Sequence, residues 1–250
     1  MKLLILGESD SIGMALSEPA QAWGNRIPIE VEAISSEAPD TVHVRFYPWA
    51  AGSAEYLEKV LDRGPFDSVV VSATKVAFTV YSADNRVRSV FGDRVGDWFK
   101  GSVRQFDRKT RYRKPPGLRR NVNIAVHKAA RKVIGQAADT NARVVAESYA
   151  QAFARLARLE DARVVVVAAP PLPSPAAKRR PNLAKEVEWF RGAIRDECKR
   201  RHFVHFDGES VLPPPGPERD ALFADDVHKT PALHQVQGRR VAEILLAGSD

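Results

Sequence analysis

Two places in this 250-residue chain carry residue types that could share one reaction. Ser9 stands just past Gly7 in LLILGESDSIG, and Asp225 and His228 stand three residues apart in ADDVHKTPALHQ. A serine hydroxyl is a weak nucleophile until a base takes its proton and donors receive the developing oxyanion. A loop that carries an imidazole and, three residues earlier, a carboxylate can supply both the base and the group that orients it. The chemistry these types allow is acyl transfer through a serine ester.

Such residues need elements to position them. Leu3 to Gly7 is a short apolar run that fits a buried strand of a parallel sheet. The polar turn after it fits the crevice at a strand's carboxyl end, where open α/β sheets bind ligands. The pattern predicts a first helix from about Met14 to Trp23 and a loop from Gly24 to Pro28. A strand from Val42 to Tyr47 follows, then a turn holding Gly52 and a helix from Ala54 to Leu61. Val69 to Val71 reads as the clearest buried strand, with Ser72, Ala73, Thr74 and Lys75 at its end. Regular rhythm resumes with a helix from Val144 to Arg158, a strand from Arg163 to Ala168, and a helix from Leu183 to Arg201. A strand from Phe203 to Phe206 and a helix from Ala232 to Ala247 complete the alternation. Strands and helices in alternation predict one three-layer α/β domain over 1–250, with a central, mainly parallel sheet of about five strands.

The strand rhythm is interrupted from Tyr81 to about Gly135, which reads as a basic helical insertion between the third and fourth strands. The net charge is +7, but from Arg86 to Lys132 fifteen Lys or Arg stand against three Asp. That balance of +12 leaves −5 for the rest. Pro115 and Pro116 forbid a helix through the middle. Beyond them Leu118, Val122, Val126, Ala129 and Val133 recur at helical spacing with cations on the other faces. Two readings stand side by side. The cations are solvated on a helix packed by its apolar stripe, or they form a lid or docking surface for an anionic group, a membrane face or an acidic carrier protein.

Composition excludes several classes. No run of about eighteen apolar residues predicts a membrane span, and the N-terminal apolar run is too short for a secretion signal. Cys198 is the only cysteine, so an internal disulfide and a cysteine-rich metal site are excluded, and a cytoplasmic protein is expected. His43, His127, His202, His205 and His234 show no spacing that suggests a metal site. The stretch from Leu3 to Gly13 lacks the GxGxxG of a dinucleotide fold and the GK[ST] ending of a P-loop, and no GxSxG occurs. No metal, organic cofactor or nucleic acid is expected.

GESDSIG at Gly7 to Gly13, Gly52 in AAGSA and the DDVH of Asp225 to His228 resemble, in order, the sequence blocks of the SGNH hydrolases, the GDSL esterase and lipase family. The resemblance implies a flavodoxin-like α/β/α fold. It also implies Ser9 as nucleophile, His228 as base, Asp225 as orienter, and the N–H groups of Ser9 and Gly52 as oxyanion donors. The third block departs from the pattern: the family has an Asn where Thr74 stands, and Glu8 replaces the usual Asp. A threonine hydroxyl donates one hydrogen bond but is shorter than a carboxamide. Thr74 is expected to serve the oxyanion through water, with Lys75 as the alternative donor.

The expected activity is that of a serine-dependent ester hydrolase or acyltransferase working through a covalent acyl-serine. The substrate would be a small-molecule ester or acyl-thioester. Arg111, Arg113, Lys114, Arg119 and Arg120 are the candidates for binding an anionic donor such as coenzyme A or an acyl carrier protein, with a sugar or other hydroxyl as acceptor. The PPGLRR segment resembles SGNH-like octanoyltransferases that acylate glucosylglycerate sugars. The alternative from another class is a catalytically weak binding protein that keeps the fold.

Overall fold

The computed structural model describes residues 1–8, 11, 16, 18–79, 140–224 and 228–247. The chain divides into two compact units, one of Met1–Lys75 with Ala142–Asp250 and one of Val76–Asn141. The described part of the second unit includes a short helix, Val76–Thr79 (α3). The basic helical insertion expected at 81–135 lies outside the described residues.

In the first unit, five strands form a parallel sheet in the order β2-β1-β3-β4-β5. They are β1 (Lys2–Gly7), β2 (Asp40–Arg45), β3 (Ser68–Ala73), β4 (Arg163–Ala168) and β5 (Val204–Asp207). The three central strands read KLLILG, SVVVSA and RVVVVA and are buried almost throughout, as a sheet covered on both faces requires. Register runs through Leu4 opposite Val42 and Val69, and through Val70 opposite Val165.

Alternate residues face opposite layers. Leu3, Ile5, Val70, Val165 and Val167 meet Trp23, Ile27 and Val31 of α1 (Trp23–Ser35) and Val241, Ala242 and Leu245 of the C-terminal helix, Pro231–Leu246. Between these helices in the chain come α2 (Ser53–Leu61), α4 (Ala142–Leu156), the short α5 (Ser174–Arg179), α6 (Pro181–Arg200) and the short α7 (Pro217–Asp220), so the last helix is α8. Tyr149 and Phe153 of α4 pack their rings on each other and, through Tyr149, on Phe190 of α6 at 6.0 Å between centroids. Among the described residues no helix is long and apolar enough to cross a membrane.

The beginning of the chain differs from the sequence reading. Met14, Ala15 and Ser17 lie outside the described residues, Pro19–Gln21 form one 3-10 turn, and the helix begins at Trp23 where a loop was expected. Pro28 sits inside that helix. An interior proline costs about 3 kcal/mol, but Trp23, Ile27 and Val31 at four-residue spacing are all buried, at about 1.5–3 kcal/mol each, and the burial wins. The second strand also begins earlier, at Asp40, with Phe46 continuing it through an N–H to the Gly7 carbonyl.

The carboxyl end of β5 is held by Arg191 of α6, whose buried guanidinium donates to Glu188, to Asp207 at 2.7 Å and to Glu209 at 2.8 Å. Arg219 donates to the other oxygen of Glu209. Burial alone would raise the Asp207 carboxyl, but the Glu209 N–H and Arg191 outweigh it and hold it below the usual carboxylate value. Burial likewise opposes, and Arg191 and Arg219 overcome, the shift of Glu209, which is also lowered. Carboxyls lowered in the fold contribute stability in full above their unfolded values of about 4, and lose it as pH falls through the folded ones. Arg191→Met is therefore expected to cost more stability at pH 7 than at pH 3 in urea melts; equal losses at both would show that the ion network contributes nothing.

Candidate active site

The strand order turns to β2 on one side of β1 and to β3 on the other, so the crevice of the sheet opens at the carboxyl ends of β1 and β3. Glu8, one residue past β1, is buried there and accepts a hydrogen bond from the Ser72 hydroxyl of β3 at 3.3 Å. The end of β3 is closed by Tyr149 of α4. Its hydroxyl accepts the Thr74 N–H at 3.0 Å and donates to the Ser72 carbonyl at 2.7 Å, so one phenol satisfies two peptide groups. Burial pushes this phenol far up, against the pull of the Thr74 N–H, and the Glu8 charge adds to the rise, so it stays a donor at any ordinary pH. Lys75 is buried and directs its ammonium to the Pro170 and Pro171 carbonyls at 2.6 and 3.0 Å, tying the end of β3 to the loop after β4.

The segments that flank Ser9 and Asp225 meet a single structure, the first turn of α1. On one side, the Ser11 backbone lies against Gly24, where an added Cβ would stand 2.7 Å from the Ser11 carbonyl oxygen. On the other, the Trp23 N–H donates to His234 Nδ1 of α8 at 3.2 Å, and the Lys229 ammonium lies 5.9 Å from the Trp23 indole centroid. Lys229 belongs to a small antiparallel bridge with Phe223, closed by the Ala224 N–H to the His228 carbonyl at 2.8 Å and the Thr230 N–H to the Leu222 carbonyl at 2.9 Å. His228 is thus half-buried in a loop anchored at both ends just before α8.

Of the residues expected from sequence, Ser9 and Asp225 lie outside the described residues, as do Arg111, Arg113, Lys114, Arg119 and Arg120. Thr74 is buried at the carboxyl end of β3. Gly52 caps α2 with φ 73°, a left-handed conformation that an L side chain would strain, after a turn in which the Ser53 hydroxyl donates to the Pro48 carbonyl. The alternative use of Lys75 as an oxyanion donor meets a competing task, since two of its three N–H groups hold carbonyls. Sequence reasoning missed Tyr149, although its place in the stripe Val145, Tyr149, Phe153, Leu156 marked it as a polar tip on a buried face. It also noted of His234 only that its spacing suggests no metal site, without its role as acceptor for α1.

A groove of about 550 Å³ between α4 and α6, lined by Arg143, Glu147, Trp189 and Asp196 among others, lies on the helix layer, and none of the expected site residues lines it. No group of three or more metal-ligating side chains occurs among the described residues. Tyr149→Phe would remove the two hydrogen bonds that the phenol makes to the Thr74 N–H and the Ser72 carbonyl in the interior, at about 1–3 kcal/mol each. A loss of at least about 2 kcal/mol in a urea melt is expected, and an unchanged midpoint would show that the phenol does not hold this strand end.

No family model matches the chain, and no curated protein matches it. Solved structures do. A carbohydrate acetylesterase from Sinorhizobium meliloti aligns with a TM-score of 0.55 at 11% identity over 98% of both chains. An acetylxylan esterase from Geobacillus stearothermophilus aligns with a TM-score of 0.54 at 10% identity, over 98% of this chain and 94% of that one. A member of the lipolytic G-D-S-L family from Veillonella parvula gives 0.54 at 10% identity, over 98% and 97%. Likeness at this identity speaks for architecture, and with the parallel 2-1-3-4-5 sheet it settles one point: the chain has the three-layer α/β/α fold of the SGNH, or G-D-S-L, hydrolases.

Proposed function

We propose that this protein is a serine-dependent ester hydrolase or acyltransferase of SGNH type, with Ser9, His228 and Asp225 as its triad. The observation that carries the reading is that Ser11, two residues after Ser9, and Lys229, one residue after His228, both rest on the first turn of α1. The esterases among the solved structures of this fold support the same class. In the proposed reaction His228 takes the Ser9 proton as the oxygen attacks an acyl carbonyl, and Asp225 holds the imidazole tautomer. The N–H groups of Ser9 and Gly52 receive the oxyanion, with Thr74 as a further donor. Collapse expels the alcohol or thiol, which takes the proton from His228. Water or another hydroxyl then releases the acyl group from Ser9. No cofactor enters these steps.

A fluorophosphonate tests this directly by intact-protein mass. Wild-type protein is expected to gain one adduct mapped to Ser9, while Ser9→Ala gains none and His228→Ala reacts at least about a hundredfold more slowly. No adduct on the wild type would leave the weak binding protein as the better reading, and an adduct on Ser9→Ala would put the nucleophile elsewhere in the chain. Cys198 does not compete for such reagents, because burial pushes its thiol up to about 12.

The charge of +12 between Arg86 and Lys132 favours the transferase form, with an anionic acyl-thioester such as an acyl-coenzyme A or acyl carrier protein as donor. The carbohydrate esterases of the same fold favour a sugar hydroxyl as acceptor. A cytoplasmic setting suits both the donor and the single thiol. If Arg111, Arg113, Lys114, Arg119 and Arg120 steer that donor, replacing them with Gln should raise its KM at least about fivefold and leave a small neutral ester unaffected. Added salt should act the same way, since screening at ~0.15 M reaches about 8 Å. Parallel loss for both substrates would return the segment to a solvated charge run.

A further inference from the structure

Ser11 is fully buried, and its hydroxyl donates to the Glu8 carbonyl at 2.9 Å. It occupies a notch that only glycine permits. A Cβ on Gly7 would stand 1.9 Å from Ser11 Oγ and 2.8 Å from His43 Nε2, and one on Gly24 would stand 3.0 Å from His43 Cε1. The His43 ring backs the hydroxyl, with Nε2 at 3.5 Å from Oγ, and its Nδ1 meets Asn25 Oδ1 at 2.9 Å. Asn25 commits its amide nitrogen to the Pro19 carbonyl at 2.8 Å, so the oxygen faces the ring and Nδ1 carries the proton. The ring then offers Ser11 only a lone pair, at the longer distance, and the single hydroxyl proton goes to the Glu8 carbonyl. Burial lowers the His43 pKa, which keeps the ring neutral near pH 7.

The Glu8 carbonyl belongs to the peptide that joins Glu8 to Ser9. A trans peptide is planar with its N–H opposed to its C=O, so holding that oxygen sets the direction of the N–H that follows. We propose that Ser11, backed by His43 and Asn25, is a positioning residue for the reaction, fixing the Glu8–Ser9 peptide so that its N–H is aimed at the oxyanion. The proposal rests on the serine-ester reading above. It adds that the oxyanion donor is set in advance from the interior side by a hydroxyl that never meets substrate. Preorganised donors of this kind act mainly on the transition state, so the effect belongs in kcat rather than in KM.

The test uses the full chain, with 4-nitrophenyl acetate turnover, fluorophosphonate labelling and thermal midpoints measured side by side. Ser11→Ala is expected to lower kcat and the labelling rate roughly tenfold to a hundredfold, with KM within about twofold. Where Ser11→Ala does not fold, Asn25→Ala at a part-exposed position keeps the hydroxyl and both glycines but frees the ring; it is expected to lower kcat about threefold at unchanged KM. Turnover within twofold of wild type in a folded Ser11→Ala, or a rise in KM in place of the fall in kcat, overturns the positioning role. An unchanged kcat in Asn25→Ala overturns it where that variant stands in. Wild-type protein that takes no label on Ser9 removes the serine reading and this proposal with it, whereas a labelled wild type with an unaffected Ser11→Ala removes this proposal alone.

Discussion

The Trp23 N–H has no carbonyl one turn back to meet, because α1 begins there, and His234 of α8 accepts it at 3.2 Å. No side chain caps this helix from its own N-terminal residue, so the acceptor comes from 211 positions away in sequence. Leaving the group unmatched in the interior would cost about 1–3 kcal/mol. The bond fixes where α1 starts against α8, and the two flanking segments of the candidate site take their positions from that start. Ser11 rests on Gly24 from one side, and Lys229 rests over Trp23 from the other. A cation over an indole contributes about 0.5–2 kcal/mol, enough to hold a short loop but not to build one. The two backbone bonds of the Phe223–Lys229 bridge do the rest.

The end of β3 follows a different plan. Thr74 stands where the resemblance leads one to expect a carboxamide, and its surroundings are ordered by Tyr149 and Lys75. The phenol matches the peptide groups of Thr74 and Ser72, while the ammonium joins this strand end to the carbonyls after β4. Hydrogen bonds to a charged group are worth about 1.5–3 kcal/mol each, and they offset the cost of burying the ammonium. Glu8 fits the same scheme, since its longer side chain reaches across from β1 to Ser72 where an Asp would stop one methylene short. The ends of β1, β3 and β4 are thereby latched at the crevice by the side chains of Glu8, Tyr149 and Lys75.

How much of this the sequence disclosed depends on whether a feature is periodic or pairwise. Val69 to Val71 and Arg163 to Ala168 stood out because both faces of those strands are buried, and so short and continuous an apolar run between turn residues suits a covered strand better than an amphipathic helix. The expected loop at Gly24 to Pro28 followed from local rules for glycine and proline, which tertiary burial of Trp23, Ile27 and Val31 overrode. The order of the blocks around Gly7, Gly52 and His228 was legible, because each falls at a strand end or before a helix. The pairings of Lys229 with Trp23, Tyr149 with Thr74 and His234 with the Trp23 N–H were not. Each joins residues far apart in the chain, and a lysine or histidine carries no local mark of the one partner that will make its burial tolerable.

Ser11, His43 and Asn25 also show why side-chain order alone is a poor guide to a reactive serine. They stand hydroxyl to imidazole to amide, the sequence of a nucleophile, a base and an orienter. Ser11 nevertheless has no exposed surface, and its proton is already given to a backbone carbonyl at 2.9 Å, closer than the ring nitrogen at 3.5 Å. A buried hydroxyl with its proton engaged can neither reach an acyl carbon nor be deprotonated by a ring that stands further off. The same serine is well placed to hold a peptide still, which needs burial and a strong acceptor and no access at all. A nucleophile would need the reverse, an accessible hydroxyl with its proton free for a base, and the base proposed for that role, His228, lies half-buried beside Lys229, which rests over Trp23 of the same helix turn.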